Sequence, residues 1–126
     1  MKQLLLLLAP LALTSCVTTP PEGDSGLVYA RIGQTVTVGG PRVTPLALIE
    51  DSRCPQGVQC VWAGQVRISA RVATGSSSSV REMTSGKPEP VADGTLTLID
   101  VQPAKRNDST IAPGDYRFGF RFDGGL

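Results

Sequence analysis

No histidine occurs anywhere in the 126-residue chain. That absence removes the commonest general base, the commonest zinc ligand and the side chain that titrates near neutral pH. A Ser-His-Asp or Cys-His catalytic arrangement therefore cannot be built. An excess of one charge is missing too. Twelve Lys and Arg stand against eleven Asp and Glu, and without Lys2 the two signs balance. No overall field draws such a chain toward nucleic acid. No apolar run reaches the roughly 20 residues of a permanent membrane-spanning helix. No stretch of ten residues beyond the N-terminus keeps a helical apolar period. Aromatics are scarce, with a single Trp, and there are three cysteines.

What is present begins with Lys2 ahead of an apolar run, Leu4 to Leu13, interrupted by Pro10 and closed by Thr14 and Ser15. One positive charge, a short apolar segment and a small-residue end make the layout of a secretory signal peptide. Leu13-Thr14-Ser15-Cys16 resembles the lipobox of bacterial lipoproteins. The resemblance implies cleavage before Cys16, a diacylglycerol thioether on its sulfur and acylation of its amine. With several acyl chains at about 0.8 kcal/mol per buried methylene, the membrane attachment would be effectively permanent. Val17, rather than Asp, follows the cysteine. In a Gram-negative cell the resemblance then implies an outer-membrane lipoprotein facing the periplasm.

The expected organisation is a signal peptide over 1–15, a lipidated flexible tether over 16–26 and one domain over 27–126. The tether is rich in Pro, Thr, Glu, Gly and Ser, and cannot bury enough apolar surface to fold. Beyond it, alternation of period two recurs. Val66, Ile68, Ala70 and Val72 fall on one face of a strand; Tyr116, Phe118, Phe120 and Phe122 fall on one face of another. Gln34 to Val38 alternates similarly, with Val36 and Val38 inward. Leu46 to Glu50 and Thr95 to Val101 change parity near Pro45 and at Leu98-Ile99, which suggests bulges. Leu27 to Ile32 and, more weakly, Val80 to Thr84 complete about seven strands. The pattern predicts an all-β, antiparallel immunoglobulin-like β-sandwich. Ile111 to Tyr116 loosely resembles the tyrosine corner of such domains, except that the strand it opens is the last one. Gly75 with Ser76 to Ser79 reads as a hairpin tip. Ser85 to Gly94 and Pro103 to Gly114 read as long connections.

The densest run of special residues is Glu50 to Gly64. Once Cys16 carries lipid, Cys54 and Cys60 are the only thiols left, on an oxidising side of the membrane. Six residues apart and separated by Pro55 and Gly57, they are expected to form a disulfide. Two cysteines without histidine are too few for a zinc site, and a redox pair usually has closer spacing beside a helix N-terminus. Neither a metal nor a cofactor is expected. Glu50 and Asp51 are adjacent on a strand and point to opposite faces, so they cannot flank one bond as a catalytic pair. Asp51 is instead expected to cap the loop or pair with Arg53. Trp62 has two readings: a core plug beneath the loop with its indole N–H on a backbone carbonyl, or an exposed anchor for a partner.

The run Asp51-Ser52-Arg53-Cys54-Pro55-Gln56-Gly57-Val58-Gln59-Cys60-Val61-Trp62-Ala63-Gly64 also resembles a signature of a family of small exported bacterial proteins and lipoproteins. The match is confined to these residues, with a Thr- and Val-rich strand before it and a Tyr-containing closing strand after it. The resemblance brings no activity with it. One further feature invites a binding role. Arg67 and Arg71 share the polar face of one strand, and Arg117 and Arg121 that of another. On neighbouring strands the four would form a basic face for phosphate or carboxylate groups of envelope polymers. The sequence as a whole points to a lipid-anchored, non-catalytic envelope module. Its candidate contact loop is Asp51, Arg53 and Trp62, and its candidate partners are an envelope protein or polymer. An inhibitor or small-ligand binder presenting the disulfide loop to a protein target is the alternative.

Overall fold

Eight strands build the structure, a computed structural model that describes residues 9–13 and 26–124. The expected lipidation site Cys16, and the tether apart from Gly26, lie outside the described residues. Among the described residues no helix is long and apolar enough to cross a membrane. The strands are β1 (Val28–Ala30), β2 (Val36–Thr37), β3 (Arg42–Asp51), β4 (Val66–Thr74), β5 (Ser77–Thr84), β6 (Glu89–Val91), β7 (Gly94–Gln102) and β8 (Arg117–Asp123). A 3-10 turn, Pro113–Asp115, precedes β8.

They form two four-stranded antiparallel sheets, ordered β2-β3-β4-β5 and β1-β8-β7-β6. The all-β sandwich read from the alternation is present, with eight strands where about seven were expected. Its wiring is a pair of meanders. β2 to β5 follow one another in one sheet, β6 to β8 in the other, and β1 returns to pair with β8.

The core lies where the alternating apolar sets of the two sheets meet. Val66, Ile68, Ala70 and Val72 of β4 and Val43 of β3 are buried, facing Leu96, Leu98 and Val101 of β7 and Phe118 and Phe120 of β8. Phe122, expected inside with them, is only half-buried because β8 ends there. Val38 is buried and Val36 partly so. The parity shifts in the sequence are bulges in the ladder, between Pro45 and Ala47 and between Leu98 and Asp100. A bulge puts two residues opposite one, so Ile99 turns outward while Leu98 and Val101 both face the core.

Two expectations about connections are corrected. Ser77 to Ser79 belong to β5, paired with Val72 to Thr74, so the hairpin tip is confined to Gly75 and Ser76. The backbone ladder carries these serines into an edge strand although their side chains bury nothing. The connection 85–94 contains β6, with Glu89 to Val91 paired to Gly94 to Leu96 and Val91 in the core.

Candidate functional site

The segment between β3 and β4 is a narrow-necked loop. After Asp51 the antiparallel ladder continues for two more rungs: the Ser52 N–H donates to Gln65 O at 2.9 Å and the Cys54 N–H to Ala63 O at 3.2 Å. The Gln65 N–H in turn donates to Ser52 Oγ at 3.0 Å. Gly64 sits in this neck at a φ of +72°, and a Cβ there would fall 1.8 Å from Ser52 O. Only glycine fits, by conformation and by space together. The Cys54–Cys60 disulfide closes the loop, with its Cα atoms 5.9 Å apart. Closing so short a ring contributes about 2–2.5 kcal/mol in the loop-entropy treatment.

A part-buried ionic brace holds this neck to the second sheet. Arg53 grips Asp51 with two parallel bonds, Nε to Oδ1 at 2.8 Å and Nη2 to Oδ2 at 2.9 Å. Its third arm, Nη1, donates to Val101 O on β7 at 2.9 Å. The Tyr116 hydroxyl donates to Asp51 Oδ2 at 2.8 Å, and Lys105 Nζ to Asp51 O at 2.8 Å. The Gln56 N–H closes onto Lys105 O at 2.9 Å. The expected Asp51–Arg53 pair is therefore present, and the two side chains are only 8% and 20% exposed. Burial opposes ionisation of Asp51, but the bonds from Arg53 and Tyr116 outweigh it and hold its carboxyl down to about 2. Burial and the bond to that carboxylate push the Tyr116 hydroxyl up to about 12. The Asp51 bond to Arg53 raises the guanidinium further above its ordinary range.

The loosely expected tyrosine corner is corrected by the same contact. Tyr116 opens the last strand, but its hydroxyl crosses to Asp51 of the facing sheet rather than to nearby backbone. Its ring stacks with Phe118 at a centroid distance of 5.7 Å. Sequence reading missed Tyr116 and Lys105 as partners of Asp51 because they lie 65 and 54 residues away. The available signal was that a buried tyrosine hydroxyl must find an acceptor.

With its base fixed, the loop presents its far side to solvent. Trp62 is 82% exposed and Val61 90%, with Val58 also exposed. The core-plug reading of Trp62 is thereby overturned. The neck turns outward at Cys60 to Ala63, and Phe118, Phe120 and Ile68 already fill the interior. Beside the loop, a shallow cleft of about 340 Å³ is lined by Leu48, Asp51, Lys105, Ile111 and Tyr116 among others. Its one carboxylate is already committed to Arg53 and Tyr116. Glu50 points the other way, toward Arg67 on the outer face, as expected for adjacent strand residues. Among the described residues no cluster of three or more potential metal-ligating side chains occurs.

The proposed basic face does not assemble. β4 carries Arg67 and Arg71, β8 carries Arg117 and Arg121, and the two strands belong to different sheets. Polar faces of a sandwich point away from each other, so the four guanidinium groups cannot share one ligand. Arg67 is paired with Glu50 and Glu82, and Arg121 with Asp123. Between Arg117 and Arg121 the surface is occupied by Tyr29, which lies over Gly119 and donates to Asp100 Oδ2 at 2.7 Å.

No protein-family model, no curated protein and no solved structure matches this chain.

Proposed function

We propose that this protein is a non-catalytic binding module of a bacterial cell envelope, anchored by lipid on Cys16 and engaging a protein partner through Trp62, exposed beside its disulfide ring. The observation that carries the reading is the exposure of Trp62 on a loop whose base is fixed. Neighbouring Val61 enlarges an apolar surface that the fold itself does not use. Large exposed aromatic side chains supply contact area with little rotamer entropy to lose, which is why they dominate binding hot spots. The disulfide and the Asp51–Arg53–Tyr116 brace limit the ordering cost further. The anchor rests on the lipobox resemblance at Leu13 to Cys16. A short closed loop with a protruding aromatic also suits the second reading, an inhibitor that inserts Trp62 into a cleft of its target.

Site-specific photocrosslinking in the native envelope tests the reading. A photoreactive residue at position 62 is expected to yield a discrete protein adduct, and one at the remote exposed position 93 is not. Equal labelling from both positions, or none from 62, refutes the contact loop. Mass spectrometry of the mature N-terminus tests the anchor separately, since an unmodified Cys16 refutes lipidation and leaves the loop untouched.

A further inference from the structure

At the end of the sandwich opposite the disulfide loop, the outer face of the β2–β5 sheet holds a second cleft of about 340 Å³. That volume falls at the lower end of the roughly 300–1,000 Å³ found for small-molecule sites. Its character follows from strand register. Thr44 lies opposite Arg71, and Arg42 opposite Ala73. The two arginines are thus diagonal neighbours, about 7–8 Å apart at the backbone, a span that long side chains bridge. Ala73 between them is small, so the floor stays open. Hydroxyls surround the pair: Thr35 and Thr44, whose Oγ1 atoms are 2.6 Å apart, on one side, and Ser76, Ser77 and Ser78 on the other.

The charge is uncompensated. No Asp or Glu lines the cleft. Among the described residues Arg42 and Arg71 have no ion pair, whereas Arg53 and Arg121 have one each and Arg67 has two. Two guanidinium groups lining one cleft repel unless an anion lies between them. A carboxylate offers two oxygens, which a single guanidinium fork already occupies. Two forks and a rim of hydroxyl donors match a group with three or more terminal oxygens. We propose that this cleft is a binding site for a phosphate or sulfate group, separate from the loop that carries the proposed function above.

The test is a titration of the full-length chain followed by amide ¹H–¹⁵N shifts at low ionic strength, where exposed charges are least screened. Inorganic phosphate, inorganic sulfate and glucose 6-phosphate are the probes, with sodium chloride at matched ionic strength as the blank. Saturable shifts are expected over residues 42–44 and 71–78, absent with chloride. Affinity should fall about tenfold in Arg42→Gln and again in Arg71→Gln, the size of one lost charge-assisted bond. Arg71→Lys keeps the charge but loses the fork and should fall between. Both arginines are exposed, so an unchanged melting curve will verify the fold of each variant. Tighter binding of glucose 6-phosphate than of phosphate assigns the site to an esterified group, and equal binding to the free ion. Shifts that do not saturate, that chloride reproduces, or that survive both Gln variants unchanged overturn the proposal.

Discussion

Asn in place of Asp51 keeps the shape of the side chain and removes its charge, leaving Arg53 and Tyr116 facing a neutral amide. The magnitude follows from the protonation equilibrium. The Asp51 carboxyl sits at about 2 in the folded chain against an ordinary value of 3.8. At about 1.36 kcal/mol per pH unit, that depression is equivalent to about 2 kcal/mol of stability. The sign is that of a carboxylate stabilised by folding. Between the two values the unfolded chain binds more protons than the folded one, so acid favours unfolding. The contribution is fully present above about pH 4 and is lost as the pH falls through about 2. Urea denaturation at neutral pH should therefore find Asp51→Asn weaker than the parent by about 2 kcal/mol or more, since the variant also strands the part-buried Arg53 charge. Glu50 and Asp100 are also held below their ordinary values, so the parent's acid sensitivity is not owed to Asp51 alone. The decisive quantity is the difference between the two proteins. The gap should narrow by about 2 kcal/mol between neutral pH and the lowest pH at which both still fold. A gap independent of pH would refute the argument, and so would an Asp51→Asn/Arg53→Gln double variant whose losses simply add.

Other outcomes follow from the same contacts. Trp62 is the only tryptophan, so its fluorescence reports one site: emission should be that of a hydrated indole and iodide should quench it in the folded state. Protection that disappears only on unfolding would return Trp62 to the core. Gly64→Ala should destabilise the domain by more than about 2 kcal/mol in urea melts, because both conformation and Ser52 O exclude a Cβ. Gly33→Ala, also at positive φ but with open space around it, should cost only about 1 kcal/mol. At alkaline pH, Tyr116, pushed up to about 12, should resist ionisation in a phenolate absorbance titration. Stability from this group is complete below its ordinary value of 10.0 and lost as the pH rises toward 12. Tyr116→Phe should abolish that part of the alkaline dependence.

The fold and the site were legible in the sequence to very different degrees. Local rules reached far: alternation located β4 and β8, parity breaks located two bulges, and the export reading paired Cys54 with Cys60. Asp51 and Arg53 are two residues apart, so their ion pair too was within range of sequence reasoning. Sheet membership was not. Nothing in the alternation of Arg67 and Arg71, or of Arg117 and Arg121, says whether their strands are neighbours or back to back. The basic face failed for that reason, while Arg71 lies diagonal to Arg42, a neighbour that only the β3–β4 register supplies.

From its residue order alone, this protein set the spacing of its strands, the inward face of each and the covalent closure of its one unusual loop. Those properties depend on neighbours within a few residues, where backbone geometry leaves few choices. Tertiary structure decided what depends on the meeting of distant segments. Tyr116 completes the shell of Asp51, the packed core leaves Trp62 outside, and two arginines line one cleft without a counter-charge. The physical reason is that burial is a property of the assembled sandwich. A side chain such as Trp62 can be either core or contact until the space beneath it has been filled by others.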